Sequence, residues 1–232
     1  MRNSIITAVA ILVIACGASS DTGVNKSIFV ADGETRNSSL RTVNGSINVG
    51  NEATVTGDMS TVNGEISVGE NSQVAELSCV NGRVSIDRNS RVEEVSCVNG
   101  PIYIGSEVEV EKELSTVNGS IKCKRGTQVG GNLETVNGEI EILETLVAGN
   151  LETVNGDILL EESSLVKGDI VIDRQKMHKS SSKRHELTIT IASHSKVEGN
   201  IDVKGDDPNV TVILAGGGEV LGEIVNAKVV RK

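Results

Sequence analysis

The sequence predicts an all-β chain, a single-stranded, three-sided parallel β-helix of about ten coils. Three observations carry that expectation. A word built on Val-Asn-Gly recurs with its glycines at Gly45, Gly64, Gly82, Gly100, Gly119, Gly138 and Gly156, at intervals of 18 or 19 residues. Such fixed-period self-similarity marks a chain that stacks one small unit on copies of itself. Apolar residues alternate at period two on both sides of each word, as short strands with one buried face require. The 232 residues also include one Phe, one Tyr and no Trp, so the interior must be narrow and aliphatic rather than filled by rings.

Each strand follows from positions counted from the glycine. Five residues before it stand Leu40, Met59, Leu77, Val95, Leu114, Leu133 and Leu151, and three before it stands Thr or Cys. Two and four residues after it come Ile47 and Val49, and so on to Ile158 and Leu160. A third apolar point lies about ten residues on, from Val55 to Val166, often followed by Gly-Asp or Gly-Asn. These positions define three strands and three corners per coil. The one-residue wobble falls in the corners, because a slip inside a strand would turn its buried side chains to water. The pattern continues where the word is lost, through Ile170 and Ile172, Ile189 and Ile191, Val197, Ile201 and Val203, then Val212, Leu214, Val220 and Ile224. Before the first word, "VNKSIFV" reads as a diverged copy with Asn25 in the Asn slot. At roughly 4.8 Å per stacked strand, ten coils make a rod about 50 Å long.

The spacing places Asn44, Asn63, Asn81, Asn99, Asn118, Asn137 and Asn155 in one structural ladder. Each amide is expected to bond to the next and to satisfy buried corner backbone groups, with the following glycine supplying a positive φ. A competing reading makes each Asn-Gly a hairpin turn, pairing Thr42 with Ile47 and Leu40 with Val49. It leaves the valine near the tenth position unexplained and the apolar faces uncovered. Leucine-rich repeats have a longer period and a different leucine spacing.

The N-terminal "MRNSIITAVAILVIACG" joins Arg2 to an apolar run from Ile5 to Ala15 and then Cys16. The run is too short to span a bilayer and suits a signal-peptide core. Val13-Ile14-Ala15-Cys16 resembles the lipobox of bacterial lipoproteins. That resemblance implies a signal peptide over residues 1–15, lipidation of Cys16 and a short tether over residues 16–23; the repeats then assign a β-helix domain to residues 24–232. Gly17, rather than Asp, after the Cys implies an outer-membrane location facing the periplasm. The lipid would make the membrane a partner.

At "VKGDIVID", "VEGNIDV" and "VLGEI" the chain resembles bactofilins, polymer-forming bacterial proteins with a β-helical core. The resemblance implies a right-handed coil and end-to-end assembly. The "TVNGxIxV" word is also similar to repeats in adhesin-like proteins of bacterial envelopes.

A formal charge of −10 argues against nucleic-acid binding, which needs clustered cations to neutralise phosphates. Cys79 and Cys97 hold the same slot in consecutive coils, about 4.8 Å apart. That is within disulfide range, although parallel strands strain such a bond, and the alternative is two buried thiols replacing Thr. Cys123 falls in the core as a small hydrophobe. The segment 173–186 interrupts the repeat as a basic loop, with Arg174, Lys176, Lys179, Lys183 and Arg184. It reads either as a plain surface loop or as a contact for lipid phosphates or an acidic partner. Glu139, Glu141, Asp157, Glu161, Asp169 and Asp173 suggest an acidic stripe, best read as a solvated face rather than a metal site. Neither metal nor cofactor is expected. The expected function is that of a non-enzymatic structural or scaffold lipoprotein of the envelope, self-associating or holding an envelope protein or polysaccharide. The alternatives are an adhesin-like binding module, using the acidic stripe or the column Ser60, Ser78, Ser96 and Ser115, and a polysaccharide-cleaving β-helix.

Overall fold

The computed structural model describes residues 20–174, 186–205 and 209–232. All thirty elements it defines there are β-strands, and every strand pairing is parallel. The chain winds as a solenoid of about ten coils with three faces. The first face is an eleven-stranded sheet running from Ile28–Val30 through Ile47–Val49 and Ile66–Val68 to Lys228–Arg231. The second consists of two-residue strands such as Thr54–Val55 and Leu146–Val147. The third carries the segments that lead into Asn-Gly, such as Ser39–Asn44 and Leu114–Asn118.

The second and third faces are continuous in two coils, where Gln73–Asn81 and Arg91–Asn99 each run unbroken through the corner. Those coils have Ala75-Glu76 and Glu93-Glu94 where others have Gly57-Asp58 or Gly149-Asn150. These two corners hold two residues where the others hold three, and the chain bends through them without a break; Glu111-Lys112-Glu113, which also lacks glycine but keeps three residues, does break. Through these two long strands the second and third faces join into one hydrogen-bonded sheet of nineteen strands.

Register follows the aliphatic pattern. Ile47 stacks on Ile28 and beneath Ile66, and Leu40 beneath Met59 and Leu77 in turn. The degenerate later coils hold the same register: Ile170 lies on Leu151, Ile189 on Ile158, Val197 on Val166, and Val212 on Ile189. These residues form one buried apolar column cluster from Val30 to Leu214. Each fully buried aliphatic side chain contributes about 1.5–3 kcal/mol, and it obtains that burial only from the coils above and below.

The corners are where backbone polar groups find their partners. After Asn, the glycine N–H donates to the Asn carbonyl of the next coil, as from Gly45 to Asn63 at 3.1 Å and from Gly64 to Asn81 at 3.0 Å. The glycine is needed for space rather than for its backbone angle. Gly45, Gly64, Gly119 and Gly156 do not adopt positive φ, and the 154–159° of Gly82, Gly100 and Gly138 borders on extended backbone. A Cβ on Gly82 would stand 1.8 Å from the Gly64 carbonyl oxygen, and one on Gly100 1.6 Å from that of Gly82. The left-handed φ falls instead at the next corner, at Glu52, Asn71, Asn89 and Glu107, with φ of 56–60°.

Two further side-chain columns escaped the sequence pattern. Buried Ser72, Ser90, Thr127, Thr145, Ser164 and Ser195 line the second corner. There Ser90 Oγ accepts from the Ser72 N–H at 3.1 Å, and Ser195 Oγ from the Ser164 N–H at 3.1 Å. At the third corner, Asn132 Oδ1 accepts from Asn150 N–H, Asn150 Oδ1 from Asp169 N–H, and Asp169 Oδ1 from Asn200 N–H. That column gives the Gly-Asn and Gly-Asp words their purpose: a short acceptor satisfies the donor of the coil above.

The Gly82→Ala substitution is expected to lower unfolding free energy by about 3 kcal/mol, because backbone must move to admit the methyl group. Gly33→Ala meets open space at φ +67° and should cost only about 1 kcal/mol of conformational strain. Urea titrations of the two variants, compared with the parent, check the ordering.

Candidate functional surfaces

The Asn ladder forms as an external rail. Asn44 Nδ2 donates to Asn25 Oδ1 at 2.7 Å, Asn63 to Asn44 at 2.8 Å, Asn81 to Asn63 at 2.9 Å, Asn99 to Asn81 at 2.9 Å, Asn118 to Asn99 at 2.8 Å and Asn137 to Asn118 at 2.9 Å. These side chains are exposed, contrary to the expectation that they satisfy buried backbone. The backbone carbonyls are capped from inside instead. Thr42, Thr61, Thr116 and Thr135 donate their hydroxyls to the carbonyls of Lys26, Gly45, Gly100 and Gly119 in the preceding coil. Thus the position three before glycine is Thr because a buried carbonyl needs a donor there.

Asn155 departs from the ladder. It keeps a backbone bridge to Asn137, but its side chain makes none of the amide-to-amide bonds. Its strand stops early, at Thr153. Val154 is buried where the equivalent valines are half-exposed, and the buried Thr153 hydroxyl has no partner. The following coil offers no Asn-Gly word on which this corner could stack, since Ile170–Asp173 leads directly into the inserted segment.

Cys79 and Cys97 are register partners, and both are buried free thiols. They replace Thr in the capping column, with Sγ to Gly64 O at 3.5 Å and to Gly82 O at 3.6 Å. A hydrogen bond donated toward its partner thiol, together with burial, pushes the Cys79 thiol above its ordinary value. No bond joins the two sulfurs in this structure, and each faces a carbonyl acceptor in the role of the threonine hydroxyl. Cys123 is a buried core residue whose thiol is pushed up to about 12 by burial.

The serine column aligns, Ser60 to Ser78 to Ser96 to Ser115, and continues into Glu134 and Glu152. It is not an open strip: Ser60 is 7% exposed, Ser115 9%, Glu134 6% and Glu152 7%. Ser78 and Ser96 are half-buried and lie 3.0 Å apart, oxygen to oxygen. Two positions earlier in each coil stand Asp58, Glu76, Glu94 and Glu113, which the sequence pattern did not single out. Burial first, then Glu134, Glu94 and Glu152, push the Glu113 carboxyl up to about 7. Burial, Glu94 and Asp58 raise Glu76 as well.

The acidic stripe expected from the sequence is divided. Glu139 and Glu141 flank Lys122 at 3.8 and 2.5 Å. Asp157 and Asp169 instead accept corner N–H groups from Thr188 and Asn200, and Asp173 lies in register with Lys204. Among the described residues no cluster of His, Cys, Asp or Glu is fit to hold a metal. Arg174, expected in the basic loop, is 2% exposed and is therefore withdrawn from that surface. Lys176, Lys179, Lys183, Arg184 and Cys16 lie outside the described residues. No described helix is long and apolar enough to cross a membrane.

Shallow depressions of about 360 Å³ beside Asp21, Phe29 and Arg36 and about 260 Å³ beside Arg91, Gly130 and Leu146 dent the surface. At the last coil the inward-stacked Val220 and Ile224 are only partly buried, and Val229 is 39% exposed. Comparison with protein-family models, curated proteins and solved structures returns no match.

Native-state alkylation should leave Cys79 and Cys97 unlabelled, and denaturation should release both without reductant. Cys97→Thr should gain about 0.5–1 kcal/mol by restoring a hydroxyl donor. A cross-linked Cys79–Cys97 peptide in a non-reduced digest would contradict this. For Glu113, a raised folded-state value means that the unfolded chain binds fewer protons between the two titrations. Stability from this group is therefore present below the ordinary carboxylate range of about 4.5 and is lost as pH rises toward about 7. Thermal melts across that window should show a smaller decline with rising pH in Glu113→Gln than in the parent.

Proposed function

We propose that this chain is a non-enzymatic structural module of a bacterial envelope. In this reading Cys16 carries the lipid and residues 16–19 are the tether, shorter than the 16–23 expected from the sequence because Ser20–Gly23 already form a strand paired with residues 39–42. The stacked coils are a stiff rod that associates end to end or holds an envelope partner. The single supporting observation is the uninterrupted parallel register from Ser20 on Ser39 to Leu214 on Arg231. A body in which every coil fixes the next is built to transmit position rather than to open and close. The resemblance to bactofilins and the lipobox resemblance support the same reading.

The adhesin-like reading rests on a different observation, the columns of Glu76 and Glu94 beside Ser78 and Ser96 on the third face. It predicts retention on a polysaccharide array that is lost when those two glutamates become Gln. The polysaccharide-cleaving reading would need activity that is lost on changing the stripe carboxylates Glu139, Glu141, Asp157, Glu161, Asp169 and Asp173.

Membrane fractionation of cells producing the full chain and Cys16→Ser tests the proposal. The parent should sediment with membranes and the variant should not. Purified Cys16→Ser should then form species larger than a monomer in sedimentation velocity as concentration rises. A soluble parent would overturn the lipid anchor. A strict monomer at every concentration would overturn end-to-end assembly.

A further inference from the structure

Seven Asn-Gly pairs occur at equivalent corners, and six of them are locked twice. In Asn44, Asn63, Asn81, Asn99, Asn118 and Asn137 the side-chain amide donates to the Asn of the preceding coil. The N–H of the glycine that follows each one donates to the Asn carbonyl of the next coil, at 2.9–3.2 Å. Among the described residues the seventh pair has neither restraint. The Asn155 side chain is outside the ladder, and among the described residues no carbonyl accepts the Gly156 N–H. The corner itself differs from the other six, with Val154 buried although outside the core cluster and the Thr153 hydroxyl unpartnered.

We propose that Asn155 is the site of spontaneous chemical modification in the folded protein, by deamidation through a cyclic imide formed with Gly156. The backbone nitrogen of Gly156 loses its proton to solvent base and attacks Cγ of Asn155. The new C–N bond closes a five-membered ring, and the side-chain nitrogen leaves as ammonia. Water then opens the ring at either carbonyl, giving aspartate or isoaspartate at position 155. Net, one amide and one water become one carboxylate and one ammonium ion, with no oxidant or cofactor involved.

Glycine makes the attack sterically open because no Cβ shields its nitrogen. The ring closes only if that nitrogen and Cγ reach a near-attack arrangement. At the six laddered corners this requires breaking the amide-to-amide bond, which holds Cγ in place, and the glycine N–H bond, which holds the nucleophile. At Asn155 neither has to break. Each net hydrogen bond is worth up to about tenfold in such an equilibrium. The modification would add a negative charge at the point where the amide rail ends, next to exposed Asp157.

The test is peptide mapping of the full-length protein held at mildly alkaline pH and 37 °C, scored by mass shift and by enzymatic methylation of isoaspartate. The rate at Asn155 should exceed that at each of the other six by about tenfold or more. In denaturant the seven rates should converge, because Val-Asn-Gly is common to all. Equal rates in the folded protein would overturn the assignment. So would an Asn155 excess of the same size in denaturant, which would trace it to local sequence. Asn118→Ser removes the acceptor of the Asn137 amide, and the rate at Asn137 should rise toward that of Asn155. If it stays unchanged while the variant melts cooperatively, the ladder does not protect and the proposal fails.

Discussion

Each coil rests on the one before at a corner where glycine has no Cβ and the preceding carbonyl fills the space. A Cβ at Gly64, Gly119 or Gly138 would stand 2.0 Å from the carbonyl oxygen beneath it. That contact sets the axial spacing at the strand separation of a sheet, about 4.8 Å. The rest follows from it. Strands on three faces hydrogen-bond in register, aliphatic side chains stack on their own kind, and hydroxyl, thiol or amide groups line up one above another.

The stacking sorts polar groups by depth. Buried carbonyls and N–H groups are answered from inside, by Thr42, Thr61 and Thr116 at one corner and by Ser72, Ser90 and Ser164 at another. The exposed asparagines are answered by one another. A queue of identical donors and acceptors satisfies itself only while the next rung is present. Where the queue stops, at Asn155, the local chain rearranges and a threonine hydroxyl is left without a partner. The insertion after Asp173 therefore acts at a distance of one coil, by removing the partner the previous corner was built to meet.

The outer faces are chemically uneven although the interior is regular. Lys122 is bracketed by two glutamates on the first face, with Arg83 over the Tyr103 ring nearby at 5.5 Å. The third face gathers Glu76, Glu94 and Glu113; burial first, and then the Glu94 charge among others, raises the titration of Glu76 and of Glu113. A solenoid permits this because an outward side chain answers to its neighbours on one face alone, leaving surface chemistry free to vary coil by coil while the core cannot.

The sequence alone determined the fold class, the coil length, the inward aliphatic positions and the identity of the asparagine rail, even through the diverged coils around Ile189 and Val212. Those features repeat, and repetition converts spacing into geometry. It also showed that Cys79 and Cys97 share a slot, leaving disulfide and thiol pair both open. Only the tertiary structure decided that the rail is external, that glycine serves close approach rather than positive φ, and that the cysteines take over a threonine cap. It alone revealed that Arg174 is buried, that the acidic stripe is divided among corners, and that Asn155 falls off the ladder. Each of these depends on what lies one coil away in space and some eighteen residues away in sequence, where a side chain's partner is set by stacking and by burial rather than by its own neighbours in the chain.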